Sequence, residues 1–325
     1  MKVFVFEFVT GGGCAGGPLP GYLADGELMW RALVDDLIAL PGVEVVTLRD
    51  GRLEHPALER VDIVATGRDG FDRDFRRCLD EADAVWTVAP ESGGVLEWLN
   101  RAVLGAGKRL LGCGPESVRI AASKTATYAC LADFGVEAIP TYTSPYLIEE
   151  ECPVVMKPDD GAGCQDTRLF ACLADAESWS RMHTAPGCIY QPYVPGEPLS
   201  LSLLCAGGRA QLLAVNRQRV VSRNGSLGFQ GVTVNAVADT AGRYADLGER
   251  VAAAMPGLWG HVGVDVIEAA GGLPVVVEVN PRPTVSYAGL RAALDRNPAE
   301  LVLELPEFGP CQPRRTVHLE SRHGH

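Results

Sequence analysis

The stretch "LPVVVEVNPRPT", Leu273–Thr284, opens as an apolar β-type run and then places Glu278, Asn280 and Arg282 at alternate positions. A strand has a side-chain period of two, so those three polar groups share one face while Val277 and Val279 share the other. Pro281 and Pro283 cannot continue a central ladder, which puts the polar row at the end of the strand. A carboxylate, an amide and a guanidinium aligned there call for a ligand.

A second segment carries the same anomaly. In "HVGVDVIEA", Asp265 sits inside a β-branched apolar run, and the short turn "AAGGL" joins that run to the first. The spacing predicts an antiparallel hairpin that brings Asp265, Glu278 and Asn280 together on one face. Two carboxylates brought together inside a sheet repel unless a cation or a proton intervenes. Two acids and an amide suit Mg²⁺, with Mn²⁺ as the alternative, better than zinc, and Mg²⁺ usually arrives with phosphates. The competing reading is a solvent-facing sheet edge with ordinary polar residues. Two strands with one anomaly favour the metal.

Two lysines extend this reading. Lys157 ends the apolar strand "CPVVMK" and precedes "PDDGAG", a turn containing Gly161 and Gly163; Lys124 follows a helix in "AASKTATY". A lysine at a strand end can reach a phosphate while the N–H groups of a glycine-rich turn close over it. Taken singly, each is more often merely solvated. Beside an acidic metal cluster they make a nucleoside triphosphate coherent, and Arg217 and Arg219 in "LLAVNRQRVV" would add a further clamp.

The rest of the chain bounds the answer. Its 325 residues, 47% hydrophobic and 22% charged, describe a soluble globular protein large enough for two or three packed subdomains. The net charge of −12 argues against a general nucleic-acid binder, though not against a small phosphate ligand. No run approaches the roughly 18 apolar residues of a membrane span, and the apolar opening "MKVFVFEFV" carries an acid and reads as a first strand. Ten cysteines with no C-x-x-C pair point to free, mostly buried thiols in a reducing cytoplasm.

The first third alternates strands ("KVFVFEF", "VEVVTL", "VDIVAT", "DAVWTVAP") with helical segments, the pattern of an open, mostly parallel sheet with covering helices. The turns "TGGGCAGG" and "APESGG" fall at carboxyl ends of strands, where such sheets bind ligands, although plain turn chemistry accounts for them equally well. Beyond Pro115, "ESVRIAASKTATYACLADFGVEAIP" reads as two short helices. A strand-rich final third includes "SRNGSLGFQG", expected to be a polar loop, and a helix from about Tyr244 to Ala254. The segment after Pro306, with His318, His323 and His325, reads as a loose, solvated tail.

The order "SKTATY", "VVMKPDDGAGC", "QPYVPGEPLSLSL", "VGVDVI", "VVVEVNPRPT" resembles the ATP-grasp ligases over nearly the whole chain. The resemblance implies an α/β and α+β fold: an N-terminal open α/β pre-ATP-grasp domain over residues 1–115, an ATP-grasp N-terminal lobe over 116–190, a C-terminal lobe over 191–310, and a tail over 311–325. It implies that Lys124 and Lys157 hold the phosphates of ATP, and that Gln191, Tyr193 and Val194 form the hinge beside the adenine. Glu197 would stand in for a ribose-binding acid that usually lies slightly further on, where this chain has Pro198. Asp265, Glu278 and Asn280 would hold Mg²⁺. Arg282, Arg217 or Arg219 would stabilise the reacting group, because His261 and Gly263 stand where some members place an arginine. Within the superfamily, "FEFVTGGG", "APESGG", "LSLSLL", "NRQ" and "NPRPTVSYAGL" are similar to tyramine–glutamate ligases of methanofuran-type cofactor biosynthesis.

The expected function is therefore an ATP-dependent joining of a small-molecule carboxylate to an amine through an acyl phosphate, with neither nucleic acid nor membrane as partner. A small-molecule kinase on the same scaffold, another amino-acid or peptide ligase, and a nucleotide-binding protein without turnover are the alternatives. Oligomeric state is not legible, and a homo-oligomer is compatible with the sequence. The polar loop "RQRVVSRNGSLGFQG" has the make-up of a lid.

Overall fold

The computed structural model describes residues 1–161, 166–183, 186–223, 225–305 and 317–320. The N-terminal part is an all-parallel five-stranded sheet of β1 (Lys2–Glu7), β2 (Glu44–Asp50), β3 (Val61–Thr66), β4 (Ala84–Val88) and β5 (Arg109–Leu110), in the order β3-β2-β1-β4-β5. Its central strands, "KVFVFE" and "AVWTV", are buried on both faces because helices cover both sides. Those helices are α1 (Leu23–Ile38), α2 (Phe71–Glu81) and α3 (Val95–Gly105). Strand order reverses between β1 and β4, and the crevice outside the carboxyl ends of such a pair is where open α/β sheets take ligands.

Two short helices follow. α4 (Pro115–Ala122) starts on a proline, whose missing N–H costs nothing in a first turn. α5 (Lys124–Asp133) is capped by Ser123, whose Oγ accepts from the N–H of Ala126.

The remainder builds one nine-stranded sheet from β6 (Val154–Pro158), β7 (Arg168–Phe170), β8 (Cys188–Pro192), β9 (Gly196–Ala206), β10 (Arg209–Arg223), β11 (Ser226–Val237), β12 (Gly260–Ala269), β13 (Pro274–Asn280) and β14 (Val317–Glu320). Its order is β13-β12-β9-β10-β11-β7-β6-β8, with β14 also on β11. Helices α6 (Leu173–Met182), α7 (Arg243–Ala254), α8 (Tyr287–Leu294) and α9 (Pro298–Leu303) complete the chain. The N-terminal sheet is joined to the second by a shared core: Trp86 on β4 stacks on His261 of β12 at 6.1 Å between ring centroids, and Tyr287 of α8 meets His261 edge-on at 4.9 Å.

Two expectations are corrected here. "SRNGSLGFQG" is not a loop but the turn of a long β10–β11 ribbon, paired from Arg223↔Ser226 to Arg219↔Gly231. Leu227 and Phe229 alternate along β11 toward the interior, and that burial outweighs the weak strand preference of Gly225, Gly228 and Gly231. The ribbon also docks on β7, with Leu169 N–H donating to Gly225 O at 2.7 Å and Leu227 N–H to Thr167 O at 3.2 Å. Nor is the tail wholly loose. β14 runs antiparallel to β11 from Gly231↔Glu320 to Val234↔Val317, and His318 Nδ1 lies 2.8 Å from Thr233 Oγ1. His323 and His325 lie outside the described residues.

Eight cysteines are free among the described residues, three of them buried; Cys164 and Cys311 lie outside. No helix among the described residues is long and apolar enough to cross a membrane.

Candidate active site

The β12–β13 hairpin puts Asp265 directly opposite Glu278, and Gly263 opposite Asn280. Asn280 Nδ2 donates to Asp265 Oδ2 at 3.3 Å, and Gln218 Nε2, reaching over from β10, donates to Asp265 Oδ1 at 2.9 Å. The two carboxyls are pulled in opposite directions. Burial, reinforced by the neighbouring Glu278 charge, pushes Asp265 well above the usual carboxylate range. Burial alone would raise Glu278 as well, but Lys124, Lys157, a hydrogen bond from Asp265 and Arg282 outweigh it and hold the group below its ordinary value. The Glu278 charge thus disfavours a second charge on Asp265 beside it.

That is the condition a divalent ion relieves. Among the described residues no group of three or more His, Cys, Asp or Glu side chains could hold a metal. The protein's share here is two carboxylates and an amide, which leaves positions for phosphate oxygens and water. Such an all-oxygen set fits Mg²⁺.

Lys124, the first residue of α5, is 6% exposed; its Nζ lies 3.6 Å from Glu278 Oε2 and donates to Gly161 O at 2.6 Å. Asp159 anchors this helix start, accepting from Ser123 Oγ at 2.6 Å and from Thr125 N–H at 2.7 Å. Lys157 ends β6 and is also buried. Both lysines line a cavity of about 330 Å³ together with Gly161, Gln191, Tyr193, Val194, Asp265 and Glu278. Gln191 is buried and donates to Thr141 Oγ1 at 2.8 Å, so its amide is fixed at the cavity edge. Gly163 lies outside the described residues.

A second cavity, about 530 Å³, opens on the other side of Asp265, Glu278 and Gln218. The crevice at β1 and β4 also lines it: Glu7 and Val9 from β1 and its following turn, Val88, Ala89 and Pro90 from β4 and the residues after it, and Tyr22, Asp25, Gly26 and Met29 from the start of α1. Arg282 lies in its wall. The guanidinium makes a two-pronged ion pair with Glu91, Nε to Oε1 at 2.9 Å and Nη2 to Oε2 at 3.0 Å, Glu91 being buried and Arg282 partly so. Glu91 comes from the "APESGG" turn, so this pair ties the first sheet to the end of the second.

Three expected site residues are not brought into the cleft. Arg217 pairs with Glu197, and Arg219 donates to Gln230 O at 3.0 Å; both arginines are exposed. On β10 it is Gln218 and Val220 that face both cavities, and period-two alternation turns Arg217 and Arg219 to the opposite side. Glu197 precedes Pro198, which does line the first cavity, and so points away by the same parity. The guanidinium in the cleft is Arg282.

Sequence reading passed over Gln218, Glu91 and Glu7. Gln218 was masked by its two charged neighbours. Glu91 lay in a turn readable as simple chain reversal. Glu7 did carry a signal, an acid in an otherwise apolar strand.

Residues 121–286 match the model of the ATP-grasp domain, and residues 43–118 that of the pre ATP-grasp 3 domain. The tyramine–L-glutamate ligase of Methanocaldococcus fervens is 26% identical over 290 residues, covering 87% of this chain and 88% of that protein. Its counterpart from Methanocaldococcus jannaschii is 26% identical over 287 residues, covering 87% and 82%. Among solved structures, an ATP-grasp superfamily protein from Archaeoglobus fulgidus superposes with a TM-score of 0.74 at 20% identity, over 98% of this chain and 99% of that one. The L-amino acid ligase from Bacillus licheniformis gives 0.64 at 16%, over 93% and 73%. With the ATP-grasp model matching just over half of its residues, and the pre-ATP-grasp model lying ahead of it, this chain belongs to the ATP-grasp family.

Proposed function

We propose that this protein joins the carboxylate of glutamate to tyramine or a related aryl amine, as a step of methanofuran-type cofactor biosynthesis. The coarser class, an ATP-dependent, ADP-forming carboxylate–amine ligase, follows from its family and from the ligase relatives that span most of the chain. One observation carries the reading: a cavity bearing Lys124 and Lys157 and a cavity bearing Glu7 and Asp25 share Gln218, Val220, Leu227, Asp265 and Glu278.

ATP would lie in the first cavity, its phosphates neutralised by Lys124 and Lys157. Asp265, Glu278 and Asn280 would hold Mg²⁺, which would supply charge neutralisation on the phosphate oxygens. A carboxylate oxygen of the acid bonds to the terminal phosphorus as the bond to the ADP oxygen breaks. The amine nitrogen then attacks the acyl carbon, the carbon–oxygen bond to phosphate breaks, and the nitrogen gives up a proton. Arg282, its guanidinium held by Glu91, would help to orient the reacting carboxyl group. Val220 and Leu227 border both cavities and form an apolar cover that keeps water from the acyl phosphate.

The test is incubation with ATP, Mg²⁺, glutamate and tyramine, following phosphate and product mass. Phosphate released only when acid and amine are both present, with a product at the mass of the amide, is the expected outcome. ADP accompanied by a phosphorylated alcohol would instead make the protein a kinase.

A further inference from the structure

Glu7 has no role in the chemistry above, yet it is among the most deeply placed polar side chains of the acid-bearing cavity. It ends β1 at 3% exposure, and its Oε2 accepts from the N–H of Thr10 at 2.7 Å. Backbone amides of Thr10 and Val9 serve the carboxyl, but among the described residues no lysine or arginine pairs with it. A buried carboxylate with hydrogen bonds and no counter-charge lacks half of what makes burial tolerable. The cavity has no cation to spare. Arg282 is the one lysine or arginine among its described lining residues, and Glu91 already occupies the guanidinium.

Helix α1 is built around this carboxyl. Gly26 lies in its opening turns, where glycine costs a helix about 1 kcal/mol relative to alanine. A Cβ there would stand 2.8 Å from Glu7 Oε2 and 3.0 Å from its Cδ. The helix gives up propensity at the position where a side chain would push Glu7 aside. The cavity's lining includes the apolar Val9, Met29, Phe229 and Val285, together with Tyr22 and Asp25.

We infer that Glu7 is the ammonium-binding residue of this enzyme, and that the cavity takes a primary ammonium carried on an apolar, ring-bearing body. The missing counter-cation of Glu7 arrives with the substrate, and the apolar wall takes up the remainder. This rests on the ligase reading and assigns one residue to the choice of amine.

The experiment uses the full chain with Mg²⁺–ATP and two probes, tyramine and its amine-free counterpart 4-ethylphenol. Direct binding is measured by calorimetry, and KM and kcat by phosphate release. Wild-type protein should bind tyramine at least tenfold more tightly than 4-ethylphenol. Glu7→Gln should erase most of that preference and raise the tyramine KM at least tenfold, with kcat and the KM for ATP each within about threefold. Gly26→Ala, which displaces the end of a flexible side chain rather than backbone, should move the tyramine KM in the same direction while folding normally. That second variant keeps the inference testable if Glu7→Gln fails to fold. Unchanged tyramine KM in either folded variant overturns it, as does a wild-type protein that binds the two probes equally. Tyramine preference without amine-dependent phosphate release would leave Glu7 in place and overturn the ligase reading alone.

Discussion

The two cavities share Gln218, Val220, Leu227, Asp265 and Glu278 but differ in charge. In one, Lys124 and Lys157 offset Asp265 and Glu278; in the other, Glu7 and Asp25 join those two acids, and a lone Arg282 is already matched by Glu91. The difference teaches how the ligase reading divides the cleft: a phosphoryl group from the first cavity would meet a carboxylate and an amine from the second at the shared residues.

The shared residues are the most sensitive place to break this division. Glu278→Gln should lower kcat by about 10³-fold or more while the unfolding midpoint stays within a few degrees, since it removes a metal-binding charge and keeps the side-chain shape. Phosphate release and a thermal melt read both quantities, and retained turnover would remove Glu278 from the metal site. Chelation of divalent ions should abolish turnover with recovery on adding Mg²⁺; activity that persists in excess chelator would contradict the fit described for Asp265 and Glu278.

Arg282→Ala strikes the far side. It leaves Glu91 buried and unpaired, and breaking a buried pair costs about 3–5 kcal/mol of stability, to be read by denaturant unfolding. A loss below about 1 kcal/mol would mean that the pair does not fasten the two sheets together. Lys124→Ala tests the near side: the KM for ATP should rise by about 10–100-fold, the range of one charge-assisted phosphate contact, with the amine KM within about twofold. Equal rises for both substrates would dissolve the distinction between the cavities. The smallest effect belongs to Arg217→Ala. An exposed pair with Glu197 contributes about 0–1 kcal/mol, and kcat/KM should stay within about twofold. A large loss of activity there would show that the ribbon turns its outer face to the substrate.

Much of this shared set could be read from the chain, for a definite reason. Asp265 and Glu278 each interrupt a β-branched run, and a short turn between two strands fixes their register, so local pattern and long-range contact coincide. The two lysines were legible because each stands at the end of an element. What escaped needed knowledge of facing. Arg217, Gln218 and Arg219 are consecutive, and a period of two says that the outer pair opposes the middle residue without saying which side meets the cleft. The β10–β11 ribbon looked like a loop because its glycines dilute the alternation, whereas its strands pair with each other and its turn docks on β7, distant in sequence. Glu7 and Glu91 sit on the first sheet, and their meaning depends on how that sheet packs against the second.

The shared residues have a thermodynamic consequence. Gln218, Asp265 and Glu278 border both compartments, so occupancy of one compartment alters the hydrogen bonding and charge met by a guest in the other. Reciprocity then fixes the outcome: whatever factor nucleotide binding applies to the affinity for the acid or the amine, those ligands must return to the nucleotide undiminished. The nucleotide, the acid and the amine of such an enzyme are partners in one linked equilibrium, and no dissociation constant for one has meaning until the state of the others is given.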